Sequence, residues 1–175
     1  ISITLTDPTR LLQVNQSVGS NDAFQQVIAT YAMYQAFLRP GAVRHIIVVS
    51  DDESDMDAAT FRSMLSALPA PGFPATMTEP DGFFLHAIVA EDPPICNGFG
   101  IPCACTVPTC PCIAQSAARG DIYINLQART GGVFASLCQT DWGPIFSSLA
   151  TAATLHTSLP CNFGIPPPPA GMTLD

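Results

Sequence analysis

The sequence predicts an α/β fold of three layers, in which helices cover both faces of a mostly parallel, Rossmann-like sheet. Along the 175 residues, short apolar segments alternate with segments whose apolar residues recur every three or four positions. That alternation is typical of a parallel sheet whose crossovers are helices. A chain of this length also fits a single domain with a sizeable core. We therefore expect one α/β domain over residues 1–158, with a disulfide-rich loop insertion, and a proline-rich extended tail over 159–175.

The first predicted elements are a strand and a long helix. Ile1–Thr6 alternates and is rich in β-branched residues, which predicts a strand. From Asp22 to Leu38 the apolar residues follow helical spacing and predict one buried face. Ser20 or Asn21 is placed to cap the amide end of this helix, and Pro40-Gly41 ends it.

The rest of the chain predicts strands and helices in alternation. Apolar runs without polar alternation predict strands that are covered on both faces. Between them, spacings of three and four predict helices with one apolar side. In chain order we expect a strand at His45–Ser50, a helix at Asp57–Leu68, a strand at Phe83–Val89, a helix at Ile113–Gln127, a strand at Val133–Leu137 and a helix at Trp142–His156.

Composition and charge exclude several classes of partner. The formal net charge is −8 and the chain has no lysine, whereas nucleic-acid binding needs many cations facing phosphates. Anionic membrane surfaces are disfavoured for the same reason. The sequence has no apolar run of the roughly 18 residues that direct insertion into a membrane requires. Only 11% of the residues are charged, which is typical of exported proteins, so we expect a secreted, periplasmic or cell-surface location.

An acidic loop follows the strand predicted at His45–Ser50. We use this name for residues 51–55, which include the four acids Asp51, Asp52, Glu53 and Asp55. In open parallel sheets, ligands bind beyond the carboxyl ends of the strands, and grouped carboxylates suit Mg²⁺ or Ca²⁺. The alternative is a solvated loop whose acids favour the positive end of the next helix, and position alone favours it, since most such loops bind nothing. The residues alone leave both open.

The order of these segments resembles a von Willebrand factor type A domain. The stretch "SVGSNDAFQQVIATYAMYQAF" followed by "RHIIVVSDDESD" has a serine-bearing turn, an amphipathic helix and a core strand that ends in an aspartate. The segments "FFLHAIV", "TGGVFASLC" and "DWGPIFSSLA" extend the resemblance over about Ser17 to Ala153. The resemblance implies a secreted or surface adhesion module of bacterial type, which binds a protein partner through a divalent metal and catalyses no reaction.

The family's metal-dependent adhesion site takes its ligands from three loops. These supply an Asp-x-Ser-x-Ser motif, a threonine and an aspartate. The resemblance places Asp51 at the aspartate and Ser20 at the threonine, with Ser17 as a competing alignment. We count Asp52, next to Asp51 in the acidic loop, as a further candidate metal ligand. No Asp-x-Ser-x-Ser motif occurs, and the first strand and helix of the fold would lie before Ile1. We therefore expect a partial or vestigial Mg²⁺ or Ca²⁺ site, with Asp51 and the turn near Ser20 at the same edge of the sheet.

Two other functions remain open. The first is a structural subunit of a larger surface assembly, which would bind no metal and would dock other subunits through an unpaired sheet edge and its proline-rich tail. The second is a Mg²⁺-dependent hydrolase that uses Asp51 and Asp52. Against the hydrolase, the chain has no lysine and no recognisable nucleophile.

The seven cysteines predict disulfides. Five lie in one short loop, Cys96, Cys103, Cys105, Cys110 and Cys112, and the others are Cys138 and Cys161. A zinc or iron–sulfur site is the alternative for the loop, but an exported chain favours disulfides. We expect Cys138 to tie the sheet to this loop and Cys161 to pair outside the chain. His45 and His86, in or beside core strands, predict hydrogen-bonded core histidines.

Overall fold

The computed structural model describes residues 11–75, 80–91 and 116–156. Its helices are α1 (Ala23–Ala29), α2 (Tyr31–Tyr34) with a 3₁₀ turn at Gln35–Phe37, α3 (Ala58–Ser66), α4 (Asp121–Thr130) and α5 (Gly143–His156). Its strands are β1 (His45–Ser50), β2 (Phe84–Val89) and β3 (Phe134–Ser136). The predicted α/β class is thereby confirmed. None of the helices in these ranges has the length and apolar character needed to cross a membrane.

The three strands form one parallel sheet in the order β1-β2-β3. β1 pairs with β2 from His45 opposite Phe84 to Ser50 opposite Val89, and β3 pairs with the second half of β2. All six residues of β2 are buried, as expected of a central strand covered on both faces. Because the strands are parallel, their carboxyl ends lie at one edge of the sheet.

Helices pack on both faces of this sheet. On one face, Leu85, Ala87 and Val89 of β2 belong to a core cluster with residues of α1, α3 and α4. On the other face, Ile88 of β2 packs with Ala135 of β3 and Ile145 of α5. The sheet therefore lies between two layers of helix within the described part of the chain.

Aromatic side chains join the three helices of the larger core. Phe24 of α1 stacks on Phe61 of α3 with ring centroids 3.8 Å apart, and it contacts Tyr123 of α4 edge-on at 4.9 Å. Phe83, just before β2, meets Phe61 edge-on at 5.9 Å. Each of these four rings is at most 1% exposed. Such pairs contribute specific contacts beyond the free energy of apolar burial, so they fix how the helices sit together.

The predicted helix from Asp22 to Leu38 is interrupted. It breaks at Thr30, whose φ of −92° and ψ of 5° leave the helical range. The Thr30 hydroxyl donates to the Gln26 carbonyl at 2.7 Å, and the Met33 N–H donates to the Thr30 carbonyl at 2.8 Å. A bond that spans three residues tightens the chain into a short second helix.

The predicted caps Ser20 and Asn21 are also wrong. The N-cap position of α1 is Asp22. The Ser20 hydroxyl and the Asn21 amide donate instead to carboxylates of the acidic loop. The cap of α3 is Asp57, whose carboxylate accepts from the backbone N–H groups of Ala59 and Thr60.

β1 departs from the prediction of a strand covered on both faces. Ile47 is 52% exposed and Val49 is 54% exposed. The apolar run predicted a central strand, but β1 lies at the end of the sheet order and pairs only with β2 among the described residues. Its position at the end of the described sheet accounts for the exposure. The local pattern could not predict this position, because strand order depends on long-range topology.

The helix predicted at Ile113–Gln127 begins later, at Asp121. Residues 116–120 are not helical, and 113–115 lie outside the described ranges. The Gly120 N–H donates to the Ala90 carbonyl at 3.2 Å, and a Cβ at Gly120 would come within 2.9 Å of the Val89 side chain. This close approach holds the incoming chain against the end of β2. The helix ends at Gly131, whose φ of 73° is the left-handed C-terminal conformation that glycine favours.

Several predictions fall outside the described ranges. These are the strand at Ile1–Thr6, the tail at 159–175 and the cysteines Cys96, Cys103, Cys105, Cys110, Cys112 and Cys161. Cys138, two residues after β3, is disulfide-bonded, and its partner also lies outside those ranges. Its predicted pairing with the cysteine loop stays a prediction.

We predict that Phe61→Ala lowers the free energy of unfolding by about 3–5 kcal/mol, because it removes a buried ring and leaves a cavity among three helices. Chemical denaturation followed by circular dichroism measures this change. Met64→Ala on the same helix is the matched control, since Met64 is 41% exposed and its truncation should cost about 1 kcal/mol or less. Equal losses in the two variants would contradict the central role of the aromatic stack.

Candidate functional site

The acidic loop lies at the carboxyl edge of the sheet, directly after β1. Ser50, the last residue of β1, is buried and accepts a hydrogen bond from the Asp52 N–H at 3.1 Å while its hydroxyl donates to the Ser20 carbonyl. The Asp51 carbonyl accepts from the N–H groups of Ala117 and Ala118 at 2.8 and 3.2 Å. These bonds connect the loop to the turn before α1 and to the chain before α4.

The turn near Ser20 reaches the acidic loop through side chains as well. The Ser20 hydroxyl donates to Asp52 Oδ2 at 3.0 Å. The Asn21 side-chain amide donates to Asp55 Oδ2 at 2.8 Å, and the Asp55 N–H donates back to the Asn21 carbonyl at 2.9 Å. The expected meeting of the Ser20 turn and the acidic loop at one edge of the sheet is therefore found in the structure.

Two acids of this region hold helix ends. Both carboxylate oxygens of Glu53 accept from the Ile122 N–H, at 3.1 and 3.0 Å, in the first turn of α4. Asp57 caps α3 through two N–H groups, and the Thr60 hydroxyl bond is the largest cause that lowers the pKa of its carboxyl. Helix amino ends present unpaired N–H groups and a partial positive charge, which carboxylates neutralise. Their hydrogen bonds to the helix N–H groups therefore account for Glu53 and Asp57 without any bound ligand.

Asp51 and Asp52 differ in how they are bonded. Asp52 accepts from the Ser20 hydroxyl on one oxygen and from the Glu53 N–H on the other, at 2.8 Å. No hydrogen bond from a described residue reaches the Asp51 carboxylate, which is partly exposed. Asp51 is thus the acid of the loop whose carboxylate stays available to a ligand from outside.

The side chains at this edge offer the oxygen ligands that a hard cation prefers, but fewer of them than such a cation takes. The Ser20 hydroxyl and the Asp51 and Asp52 carboxylates offer the oxygen ligands that Mg²⁺ and Ca²⁺ prefer. Those ions take about six to eight ligands, and within the described ranges no group of three or more Asp, Glu, His or Cys side chains is arranged to hold a metal. Any cation bound here would need water or a partner group to complete its shell.

A buried tyrosine lies beneath the loop. Tyr123 of α4 is fully buried, and burial raises the pKa of its phenol, with the nearby Glu53 and Asp52 charges acting in the same direction. The Ser54 side chain opposes this effect. The phenol is therefore neutral over the physiological pH range. Tyr123 fills space beside the acidic loop without adding a negative charge to it.

Sequence reasoning missed three residues of this edge. The sequence predicts Asn21 as a helix cap, Glu53 as one of the four acids of the loop, and Ser50 only as the end of a strand. Their roles depend on contacts with residues 34, 69 and 30 positions away. The only local signal was the polar cluster of the Ser20 turn, which indicates a loop and identifies no partner.

No protein-family model, curated protein or solved structure matches this chain. The resemblance to a von Willebrand factor type A domain therefore depends on the order and spacing of its own segments.

We predict that Glu53→Gln lowers the free energy of unfolding by about 1 kcal/mol, because it removes the charge that the amino end of α4 faces. Thermal or chemical denaturation in the presence of a chelator measures the change. Asp51→Asn is the matched control, since none of the described residues hydrogen-bonds that carboxylate, and it should alter stability by less than about 0.5 kcal/mol. A larger loss for Asp51→Asn than for Glu53→Gln would refute this division of roles.

Proposed function

We propose that this chain is an extracellular interaction module of von Willebrand factor A type, which binds a protein partner at the carboxyl edge of its sheet. The observation that carries the proposal is the Asp51 carboxylate, which stands without a hydrogen bond from any described residue beside the bonded pair of Ser20 and Asp52. Loops at the carboxyl ends of parallel strands are where such folds bind ligands.

The proposed binding uses Mg²⁺ or Ca²⁺ as a bridge. A cation held by Asp51, Ser20 and Asp52 would keep an open coordination position, and an acidic side chain of the partner would fill it. The hydrogen bond between Ser20 and Asp52 holds these two side chains together, and a second bond ties the Asp52 backbone to Ser50. No chemical step on a substrate is part of the proposal.

A catalytic role for the same acids has less support. A Mg²⁺-dependent hydrolase would use Asp51 and Asp52 as an open pair of carboxylates. Both oxygens of Asp52 already accept hydrogen bonds, from the Ser20 hydroxyl and the Glu53 N–H, so this carboxylate is engaged and poorly placed to take a proton from a water as a general base. The proposed site is therefore one of binding, at a secreted, periplasmic or cell-surface protein.

We predict that calorimetric titration of the chain with Mg²⁺ alone yields binding with a dissociation constant in the millimolar range, because few protein oxygens are available. Asp51→Asn should abolish the heat. The matched control is Asp55→Asn, in the same loop but outside the proposed ligand set, which should retain it. Absence of heat for the unaltered chain, or loss of heat in the control variant alone, would contradict metal-bridged binding.

The exposed edge of β1 favours a second candidate, a structural subunit that assembles with copies of itself. Ile47 and Val49 are more than half exposed, and a groove of about 390 Å³ runs along β1 between it and the segment bearing Val14 and Val18. An edge strand with apolar side chains is a template for a further strand.

A second copy of the chain is the occupant that the charge distribution favours. The groove is lined by twelve residues, none of them charged: Val14, Gln16, Val18, Ala23, Gln26, Val27, Thr30, Tyr34, Ile46, Ile47, Val48 and Val49. Two copies that each carry a net charge of −8 repel one another least where such neutral surfaces meet. A two-fold axis would pair β1 with its own copy in antiparallel orientation.

We predict that the chain self-associates reversibly at about 100 μM in sedimentation velocity, and that the double substitution Ile47→Lys and Val49→Lys makes it monomeric, since charges on an edge strand block strand addition. Met33→Lys is the control, because Met33 is 56% exposed on α2 and does not line the groove. A monomeric unaltered chain, or association that survives the double substitution, would exclude this candidate.

A further inference from the structure

Three histidines meet on the face of the sheet that α5 covers. His45 Nδ1 lies 2.9 Å from His86 Nε2, and the two rings are stacked with centroids 5.2 Å apart. His86 Nδ1 accepts from the Val133 N–H at 2.9 Å. A backbone N–H can only donate, so His86 is neutral with its proton on Nε2, where it donates to His45. The expected hydrogen-bonded core histidines are thus found, in a fixed tautomer.

The third ring belongs to the end of α5. His156, its last residue, stacks on Phe84 of β2 with centroids 3.6 Å apart and an interplanar angle of 4°. It also stacks on His45 at 5.6 Å. We call His45, His86, His156 and Phe84 the histidine stack. It joins the final turn of α5 to β1 and β2, and His156 is the last described residue of the chain.

Two ring nitrogens of the stack have no hydrogen-bond partner. They are His45 Nε2 and His156 Nδ1, and both atoms are buried. Because His45 Nδ1 accepts from His86, the proton of the neutral His45 lies on Nε2, and this nitrogen is a buried donor without a partner. No metal cluster is found among the described histidines. A further proton on His45 would have to enter at Nδ1, in the contact with His86.

We propose that the histidine stack is an acid-sensitive latch, which holds the end of α5 on the sheet while His45 and His86 are neutral and releases it when they are protonated. A proton on His86 Nδ1 would face the Val133 N–H and break that bond. A proton shared into the His45–His86 contact would leave a positive ring between two other rings. Each event weakens the packing of His156, and release returns the rings to water.

The charges around the stack favour the neutral form. β1 contributes His45 and the adjacent Arg44, whose guanidinium donates to the carbonyls of Gly72, Ala42 and Arg39. β2 contributes His86, α5 contributes His156, and β3 has no titratable residue. Within the described ranges, the charged groups that act on His45 and His86 are histidines and no carboxylates. A proton taken up by the closed stack therefore finds no counter-charge.

The pKa values of the strand histidines agree in direction. Burial, followed by the neighbouring His45 and His156, lowers the pKa of His86 to about 4. Burial, followed by His156, lowers the pKa of His45. A released ring takes up its proton near pH 6.5. The open form then binds more protons than the closed form below that value, so the latch is fully closed above about pH 6.5 and weakens as the pH falls toward 4.

The test is amide hydrogen exchange of the last two turns of α5 in the full chain at pH 7.5 and pH 5, corrected for intrinsic exchange rates. If opening restores an ordinary pKa to His86, the opening equilibrium rises by up to roughly 30-fold at pH 5. His86→Phe keeps an aromatic ring beside His45 and removes the proton acceptor that the closed stack holds neutral, so the acid effect should shrink at least threefold. Leu155→Ala is the matched control, since Leu155 is 70% exposed, and it should behave as the unaltered chain.

Two results would overturn the latch. One is an opening of α5 that changes less than twofold between the two pH values in the unaltered chain. The other is an acid effect of the same size in His86→Phe. Should that variant fold poorly, an NMR titration of the three imidazoles in the unaltered chain decides the matter, because a His86 pKa of 6 or higher contradicts the proposal.

Discussion

The in-register parallel pairing of β1 with β2 is the constraint on which both sites depend. Setting His45 opposite Phe84 and Ser50 opposite Val89 places the acidic loop at the carboxyl edge. The same register brings the His45 ring beside His86 near the opposite end of the strands. Because side chains alternate along a strand, a slip of one residue would turn His45 into the larger core and Val48 out of it. The burial of Val48 between the exposed Ile47 and Val49 specifies the register of β1 and, through it, the positions of both sites.

Most carboxylates of the acidic loop are used in folding, and one stays available. Glu53 satisfies the amino end of α4, as Asp57 just after the loop does for α3. Asp52 and Asp55 hold the turn before α1. With these acids engaged, the loop is fixed on several sides and Asp51 is presented from a rigid base. Such fixing matters for recognition, because a group that is already ordered loses less conformational entropy on binding.

Hydrophobic patterning predicted most strands and helices within a residue or two, but it predicted less well where helices break or begin and which strand is exposed. The three strands and the helices α3 and α5 lie within a residue or two of the expected ranges, because apolar periodicity is a local property. The break at Thr30, the late start of α4 and the exposure of Ile47 and Val49 were missed. Each depends on something that adjacent residues do not encode: a side-chain bond to the helix backbone, the approach of Gly120 to β2, and the place of β1 in the strand order. The Asn21–Asp55 and Glu53–Ile122 contacts are long-range for the same reason.

Backbone hydrogen bonds hold the chain on both sides of segment 92–115. The Ala90 carbonyl, just before the segment, accepts from the Gly120 N–H, and the Ala117 N–H, just after it, donates to the Asp51 carbonyl. Because these bonds join main-chain atoms, they tolerate changes of side chain at Ala90, Ala117 and Asp51, whereas a Cβ at Gly120 would come within 2.9 Å of Val89. The entry and exit of the segment therefore constrain backbone geometry more than side-chain identity.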